Sequence, residues 1–253
     1  MTDFTISHSK LKGFLKSFGK DLVDLVIEAK TDGIQASVGK DTHFIRRKVE
    51  CDVNQTGKVN ISDLAKVKAF MGTMKSGDLK ITQTGKAGTL HIIAPASSLQ
   101  LPTSSYIQSQ DKVGLFKRLI TKSEENMWRT WSEYPLEYHA KVTADSLKPA
   151  SKFSKVLGDK FACKTEFDAQ GQELVIRGGS SNRGKMFVRA PLIDIESPDI
   201  SARSAFDYWL PELLNNLPSG ELDIHTGDES VIVLKQADTD FLMVVIDQEY
   251  EED

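Results

Sequence analysis

Apolar residues recur along this chain at two spacings, one helical and one strand-like. In "HSKLKGFLKSFGK", Leu11, Phe14, Leu15 and Phe18 stand at i, i+3, i+4 and i+7, which predicts an amphipathic helix over 7–20. A short alternating run, "DFTIS", precedes it as a strand. "DLVIEAK", a "TDG" turn, "IQASV" and "THFIRRKV" then predict a meander of strands. "VNISDLAKVKAFMGTMK" reads as a strand end followed by a helix over 62–75, with Ser62 or Asp63 as its N-cap. Gly77 suits the turn after that helix, "DLKITQ" and "GTLHIIA" predict an antiparallel pair, and "SSLQLP" adds a third strand.

The same order then returns. "YHAKVTA" is a strand, and "DSLKPASKFSKVLG" predicts a helix over 145–157, capped by Asp145 and ended by Gly158. Strands follow in "FACKTEF", "ELVIRG" and "KMFVRA", and a second helix is expected over 201–217, bent near Pro211. "GELDIHT", "SVIVLKQ" and "FLMVVID" close the unit, so that "SGDLKI" (Ser76–Ile81) and "SGELDI" (Ser219–Ile224) occupy corresponding corners. Duplication on this scale predicts an α+β architecture of two tandem, similar β-α-β-α-β domains, over 1–102 and 136–253. A connector at 103–135 joins them and carries "VGLFKRLI", Trp128 and Trp131.

Composition narrows the function classes. The chain has 253 residues, 40% of them hydrophobic and 27% charged, which suits two soluble domains of ordinary size. Its longest apolar run, "FLMVVI", is too short to span a bilayer, and "MTDFTISHSK" does not read as a secretory signal. An intracellular protein with no membrane partner is therefore expected. Cys51 and Cys163 form no C-x-x-C pair, which favours reduced thiols and argues against structural zinc. His8, His43, His91, His139 and His225 fit no metal-ligand or catalytic-triad spacing. Gly179 to Lys185 formally satisfies the phosphate-loop pattern G-x-x-x-x-G-K, but Met186 stands where a magnesium-binding hydroxyl is needed, and "MFVRAPL" alternates like a strand. No enzyme, cofactor or metal is expected.

Charge changes the picture more. The net charge is −4. Yet the four predicted helices hold Lys10, Lys12, Lys16, Lys20, Lys66, Lys68, Lys75, Lys148, Lys152, Lys155 and Arg203 against only Asp63, Asp145, Asp207 and Glu212. On a helical wheel Lys12, Lys16 and Lys20 oppose Leu11, Phe14 and Phe18, and Lys148, Lys152 and Lys155 oppose Ala150, Phe153 and Leu157. Lysines often do no more than solvate the outer face of a helix. Such faces usually mix signs, however, and two equivalent helices here carry lysine almost alone, which points to a shared polyanion.

A duplicated domain of this order with lysine-bearing helices resembles the sliding clamps of DNA replication, proliferating cell nuclear antigen (PCNA) and its archaeal and phage relatives. "DGIQASVGKDTHFI" is similar to that family's early "GI" turn followed by "DSSH", with His43 ten residues after Gly33, and "EYEED" resembles its acidic C-terminus. Asp41 sits one place off that pattern, and the family's proline-containing ending is replaced by "VVIDQEYEED". The resemblance implies a homotrimeric ring with its helices lining the hole, encircling double-stranded DNA without reading its sequence. It further implies a DNA polymerase tethered as client and a separate clamp-loader ATPase. The DNA-binding residues would be Lys10, Lys12, Lys16, Lys20, Lys66, Lys68, Lys148, Lys152 and Lys155. Partner segments would meet Val38, His43, Leu115, Phe116, Val245, Ile246 and Asp247. Two alternatives stay open: a monomeric processivity factor holding DNA on one basic face, and an unrelated duplicated interaction protein.

Overall fold

The computed structural model describes residues 1–19, 21–85, 88–116, 128, 135–157, 165–170, 173–180, 184–196, 198–206, 213–227, 230–236 and 241–245. The chain divides into two compact units, built mainly on Met1–Leu115 and on Phe116–Ala237 with Leu242–Asp253.

In the first unit, β1 (Thr2–Ser7), β5 (Asp52–Gln55), β7 (Asp78–Gln83), β8 (Thr89–Ala94) and β9 (Ser97–Pro102) form a sheet in the order β5-β1-β7-β8-β9. A second run orders β2 (Leu25–Lys30), β3 (Gly33–Gly39), β4 (His43–Val49) and β6 (Gly57–Ile61) as β4-β3-β2-β6. The period of two holds: Phe4 and Ile6 of β1, Leu79 and Ile81 of β7, and Leu90 and Ile92 of β8 are all buried. Helix α1 (His8–Lys16) buries Leu11, Phe14 and Leu15, and Phe18 just beyond it closes the stripe edge-on to Phe14, ring centroids 5.3 Å apart. Ser7 Oγ accepts from Lys10 N and caps it. Asp63 caps α2 (Leu64–Gly72), one of the two candidates the sequence offers, by accepting from Lys66 N at 3.0 Å. Buried His8 joins the helices, its Nε2 donating to Met71 O at 2.9 Å.

The second unit orders β10 (Tyr138–Thr143), β11 (Thr165–Gln170), β12 (Glu173–Ser180), β13 (Gly184–Ile195), β14 (Ala202–Phe206), β15 (Glu221–Thr226), β16 (Ile232–Gln236) and β17 (Phe241–Val245) as β14-β11-β12-β13-β10-β15-β16-β17. Strand β13 serves two neighbours, β12 along Gly184–Pro191 and β10 along Leu192–Ile195. Pro191, which has no N–H to give a ladder, stands where one partner is exchanged for the other.

The repeat is visible at the level of register. β1 pairs with β7 from Thr2↔Gln83 to Ser7↔Asp78, and β10 pairs with β15 from Tyr138↔Thr226 to Thr143↔Glu221. Each pair ends on the twin corner. Gly77 O accepts from His8 N at 2.8 Å, and Gly220 O accepts from Ala144 N at 2.9 Å, so each corner satisfies the first N–H of the helix beside it. Their φ angles are 118° and 122°, a region that glycine enters without penalty.

Three expectations need correction. The helix expected over 145–157 is α3 (Ala144–Leu147), a 3-10 turn (Lys148–Lys152) and α4 (Phe153–Leu157). Pro149 lacks an N–H and crowds the carbonyl four residues back, which tightens the turn. Asp145 is not the N-cap: that position is Thr143, and Asp145 sits in the first turn bonded to Lys148. The helix expected over 201–217 begins instead as β14, in which Ala202, Ser204 and Phe206 are buried in alternation and pair along β11. Small residues at 202–205 satisfy either period, and the neighbouring strand decides. Lys20, Cys163, Asp207, Pro211 and Glu212 lie outside the described residues.

The first part of the connector is built into the first unit. Ser104 N donates to Ser62 Oγ at 2.6 Å, Ser104 O accepts from Asn60 Nδ2 at 2.9 Å, and Gln83 Nε2 donates to Thr103 Oγ1 at 2.8 Å. Asp24 accepts from the N–H groups of Gln108 and Ser109, at 2.7 and 2.9 Å, and so holds the start of a 3-10 turn at Gln108–Gln110. Gly39 makes the close approach possible: a Cβ there would stand 2.6 Å from the Lys112 carbonyl carbon and the Val113 nitrogen. Of "VGLFKRLI", residues 113–116 are helical, while 117–120 and Trp131 lie outside the described residues.

Candidate nucleic-acid interface

The lysines sort by what already holds them. Lys12 and Lys16 on α1, and Lys152 and Lys155 at the corresponding helix of the second unit, are exposed and have no ion pair among the described residues. The other four described candidates each already hold a partner. Lys10 Nζ donates to Glu50 O at 3.1 Å, and Lys68 Nζ donates to Gly19 O at 2.8 Å. Burial lowers the Lys68 pKa, against a smaller upward pull from Asp21. Lys66 pairs with Asp63 at 3.0 Å, and Lys148 pairs with Asp145 at 2.5 Å while also donating to Ser219 Oγ at 3.2 Å.

Both aspartates sit three residues before their lysine, and both are held below the usual carboxylate range. For Asp63 the main cause is the Lys66 backbone N–H, followed by its side chain; for Asp145 it is the Lys148 ammonium. Exposed pairs of this kind contribute little to stability and break readily. Their effect on a polyanion is electrostatic, since each aspartate cancels the field of its lysine. The sequence signal for this, Asp at i and Lys at i+3, was present and separates Lys66 and Lys148 from Lys12, Lys16, Lys152 and Lys155.

The residues expected to meet partner segments are mostly interior. Val38 on β3 and His43 on β4 are buried, as are Phe116 and, on β17, Val245, whereas Leu115 is 48% exposed. Ile246 and Asp247 lie outside the described residues. Burial, with a lesser contribution from Lys40, pushes His43 down to about 4, which keeps it neutral at physiological pH. In the second unit His139 and His225 stack at 4.0 Å between ring centroids, and burial, then the neighbouring His139, pushes His225 down to about 3.

The phosphate-loop pattern resolves as a hairpin. Gly179 and Ser180 end β12, and Lys185 and Met186 belong to β13, with Ser180 facing Gly184. No helix N-terminus follows to receive a phosphate. The Cys51 thiol is pushed up to about 11, chiefly by burial, so it stays protonated and poorly nucleophilic at neutral pH. Among the described residues no group of three or more His, Cys, Asp or Glu is arranged to hold a metal, and no helix is long and apolar enough to cross a membrane.

No protein-family model matches the chain, and no curated protein matches its sequence. Solved structures do match. PCNA from A. fulgidus, bound to the C-terminal region of FEN-1, superimposes with a TM-score of 0.71 at 12% identity, over 100% of both chains. PCNA from Thermococcus kodakaraensis gives 0.70 at 14% identity, over 98% of this chain and all of that one. The DNA polymerase III beta subunit from Thermotoga maritima gives 0.71 at 12% identity, over 99% of this chain and 66% of its own longer length. Two units of one register, matched from end to end by PCNA, give this chain the fold of the DNA sliding clamps.

Proposed function

We propose that this protein is a sliding clamp that encircles double-stranded DNA as a homotrimer and tethers a DNA polymerase as its processivity factor. The observation that carries the reading is the placement of free charge. Helix α1 presents Lys12 with Lys16, and the corresponding broken segment of the second unit presents Lys152 on its 3-10 turn with Lys155 on α4, all exposed and unpaired among the described residues, on a chain whose net charge is −4. A lining of that kind attracts phosphates by counterion release, without sequence preference, and lets the protein slide. Processivity then comes from topology, because a closed ring keeps the bound polymerase at high effective concentration.

Strand edges support a head-to-tail ring. Among the described residues β9 pairs only with β8, and Gly184–Pro191 of β13 pairs only with β12. Two open edges on one chain invite pairing between copies, and a heterologous contact closes when its rotation permits. Exposed Phe187 on β13 is the apolar side chain such a contact would cover. Partner segments would meet exposed Leu115, and a separate loader ATPase would open the ring.

The test is retention on circular DNA. Purified protein should scatter light as a trimer, stay on a nicked plasmid through gel filtration once loaded, and leave when the plasmid is linearised. The variant Lys12→Ala, Lys16→Ala, Lys152→Ala, Lys155→Ala should still fold but be lost from the circle at lower salt. A strictly monomeric mass at micromolar concentration would favour DNA binding on one basic face instead. Retention equal to wild type at every salt concentration would remove these helices from the DNA path.

A further inference from the structure

Helix α1 carries a glycine that its packing does not explain. Gly13 stands in the interior of this nine-residue helix, where glycine is markedly less favourable than alanine. It is exposed, and a Cβ there would meet no atom within 4 Å, so no neighbouring element requires its small size. Glycine is also the residue that lets a ligand come close to the backbone. Lys12 precedes it and Lys16 follows on the next turn, both exposed and without an ion pair among the described residues. A third cation reaches the same flank from the sheet. Arg47 on β4 shares the face of buried Ile45 and is itself half-buried. Its Nη1 donates to Ser17 Oγ at 2.7 Å, and that hydroxyl donates on to Gly13 O at 3.2 Å. Arg47 has no ion pair among the described residues, and burial alone lowers its pKa. Taking a cation partly out of water with no acid beside it is costly; the C-terminal end of α1 offsets part of that through its dipole, and an incoming anion would offset more. The second unit has no such place. Counted from the twin corners, Pro149 stands where Gly13 does, and Lys148 is held by Asp145.

We infer that Lys12, Gly13, Lys16 and Arg47 form a seat for one phosphodiester of the DNA backbone. The two lysines supply charge and reach, and the guanidinium supplies a planar fork that suits a pair of phosphate oxygens. Ser17 holds that fork against the flank of the helix. The bare backbone at Gly13 lets the phosphate approach closer than a side chain would allow. No base edge is involved, so the contact carries no sequence preference. The seat rests on the reading of α1 as a DNA-facing helix, and it gives that helix one fixed contact beside its diffuse attraction. Helix α1 gives up stability at Gly13 to keep the approach open.

The probe is a short blunt duplex of mixed sequence, titrated into isotopically labelled full-length protein at several salt concentrations, with inorganic phosphate in parallel. Amide shifts should centre on Lys12, Gly13, Lys16 and Ser17 with the duplex. Gly13→Ala should raise the unfolding midpoint, because alanine is the better helix former. Gly13→Met should be no less stable than wild type and yet bind the duplex several-fold more weakly. Arg47→Gln should lower the slope of log affinity against log salt by about one, the loss of a single phosphate contact. Lys30→Gln, which removes the same charge from the exposed end of β2, should leave the slope as it is. A merely structural Arg47 would move the unfolding midpoint and not the slope. If Arg47→Gln does not fold, Gly13→Met carries the test. Wild-type affinity in folded Gly13→Met, a wild-type slope in folded Arg47→Gln, an equal fall in slope for Lys30→Gln, or tighter binding of inorganic phosphate than of duplex would each overturn the seat alone. No duplex binding by the wild-type protein would overturn the reading of α1 as well.

Discussion

Helix α1 runs nine residues without a break, while its counterpart in the second unit is split into α3, a 3-10 turn and α4. The strands beside them show the reverse. The first unit uses two strands, β4 and β5, where the second uses the single twelve-residue β13 to serve the same two neighbours. Yet β1–β7 and β10–β15 keep one register, and both corners hold the first helical N–H in the same way. A one-residue slip would turn every buried side chain of a strand to the other face, so register is costly to change. Helix regularity is cheap by comparison, because a 3-10 turn still buries Ala150 and leaves Phe153 to cover Gly178. The sheet frame is what the two units share, and helices and strand breaks are where they differ.

Acid should weaken both units, with the largest effect of all. Buried His43 in the first unit and His225 in the second have pKa values near 4 and 3, against about 6.5 in an unfolded chain. The unfolded chain binds these protons more tightly, so stability is unaffected above about pH 6.5 and falls as the pH drops toward those values. Each site accounts for on the order of 3 kcal/mol across that window. Denaturant titrations between pH 7 and 4 should show it. His43→Gln and His225→Gln should each flatten the slope, and wild-type slope in either variant would contradict the burial of that ring.

The twin corners offer the next contrast. Gly77→Ala and Gly220→Ala both force a side chain into positive φ, at a cost of about 1–3 kcal/mol. Gly220→Ala should cost more, because its Cβ would stand 2.8 Å from Gln236 Nε2 and disturb the bond from that amide to Ser219 O, whereas the Cβ at Gly77 meets only Pro95 at 3.6 Å. Equal shifts in the unfolding midpoint would mean that the corners are mechanically alike. A smaller effect, within about 1 kcal/mol, is expected for Pro149→Ala: the 3-10 turn should relax toward α-helix, with a gain in far-UV helical signal. An unchanged spectrum would place the cause of the break elsewhere.

The smallest effect on stability concerns two neighbouring lysines. Lys148→Ala and Lys152→Ala should each change folding stability by less than about 0.5 kcal/mol. In the salt dependence of DNA retention they should differ. Lys152 is free to contact phosphate, so its removal should flatten the salt slope, while Lys148, held by Asp145, makes no such contact and its removal should leave the slope nearer wild type. If the two variants lowered retention equally, the pairing would not matter to DNA.

The sequence alone determined the buried stripe of α1, the twin glycine corners and the strand that replaces a phosphate loop, because each rests on periodicity or on a residue type with one conformational habit. It did not determine β5, whose polar "DVNQ" has no alternation and is a strand only because β1 offers it a ladder. Nor did it determine β14, where small residues fit helix and strand alike. The lysine faces were legible as charge patterns, and two of their neutralising partners were legible as Asp three residues upstream. The bonds from Lys10 to Glu50 O and from Lys68 to Gly19 O were not, since they join residues far apart in the chain. The docking of the connector was equally hidden. Asp24, Gly39 and Ser109 become neighbours only once the connector folds back onto the first unit, and sequence spacing holds no information about a contact assembled from three separate turns.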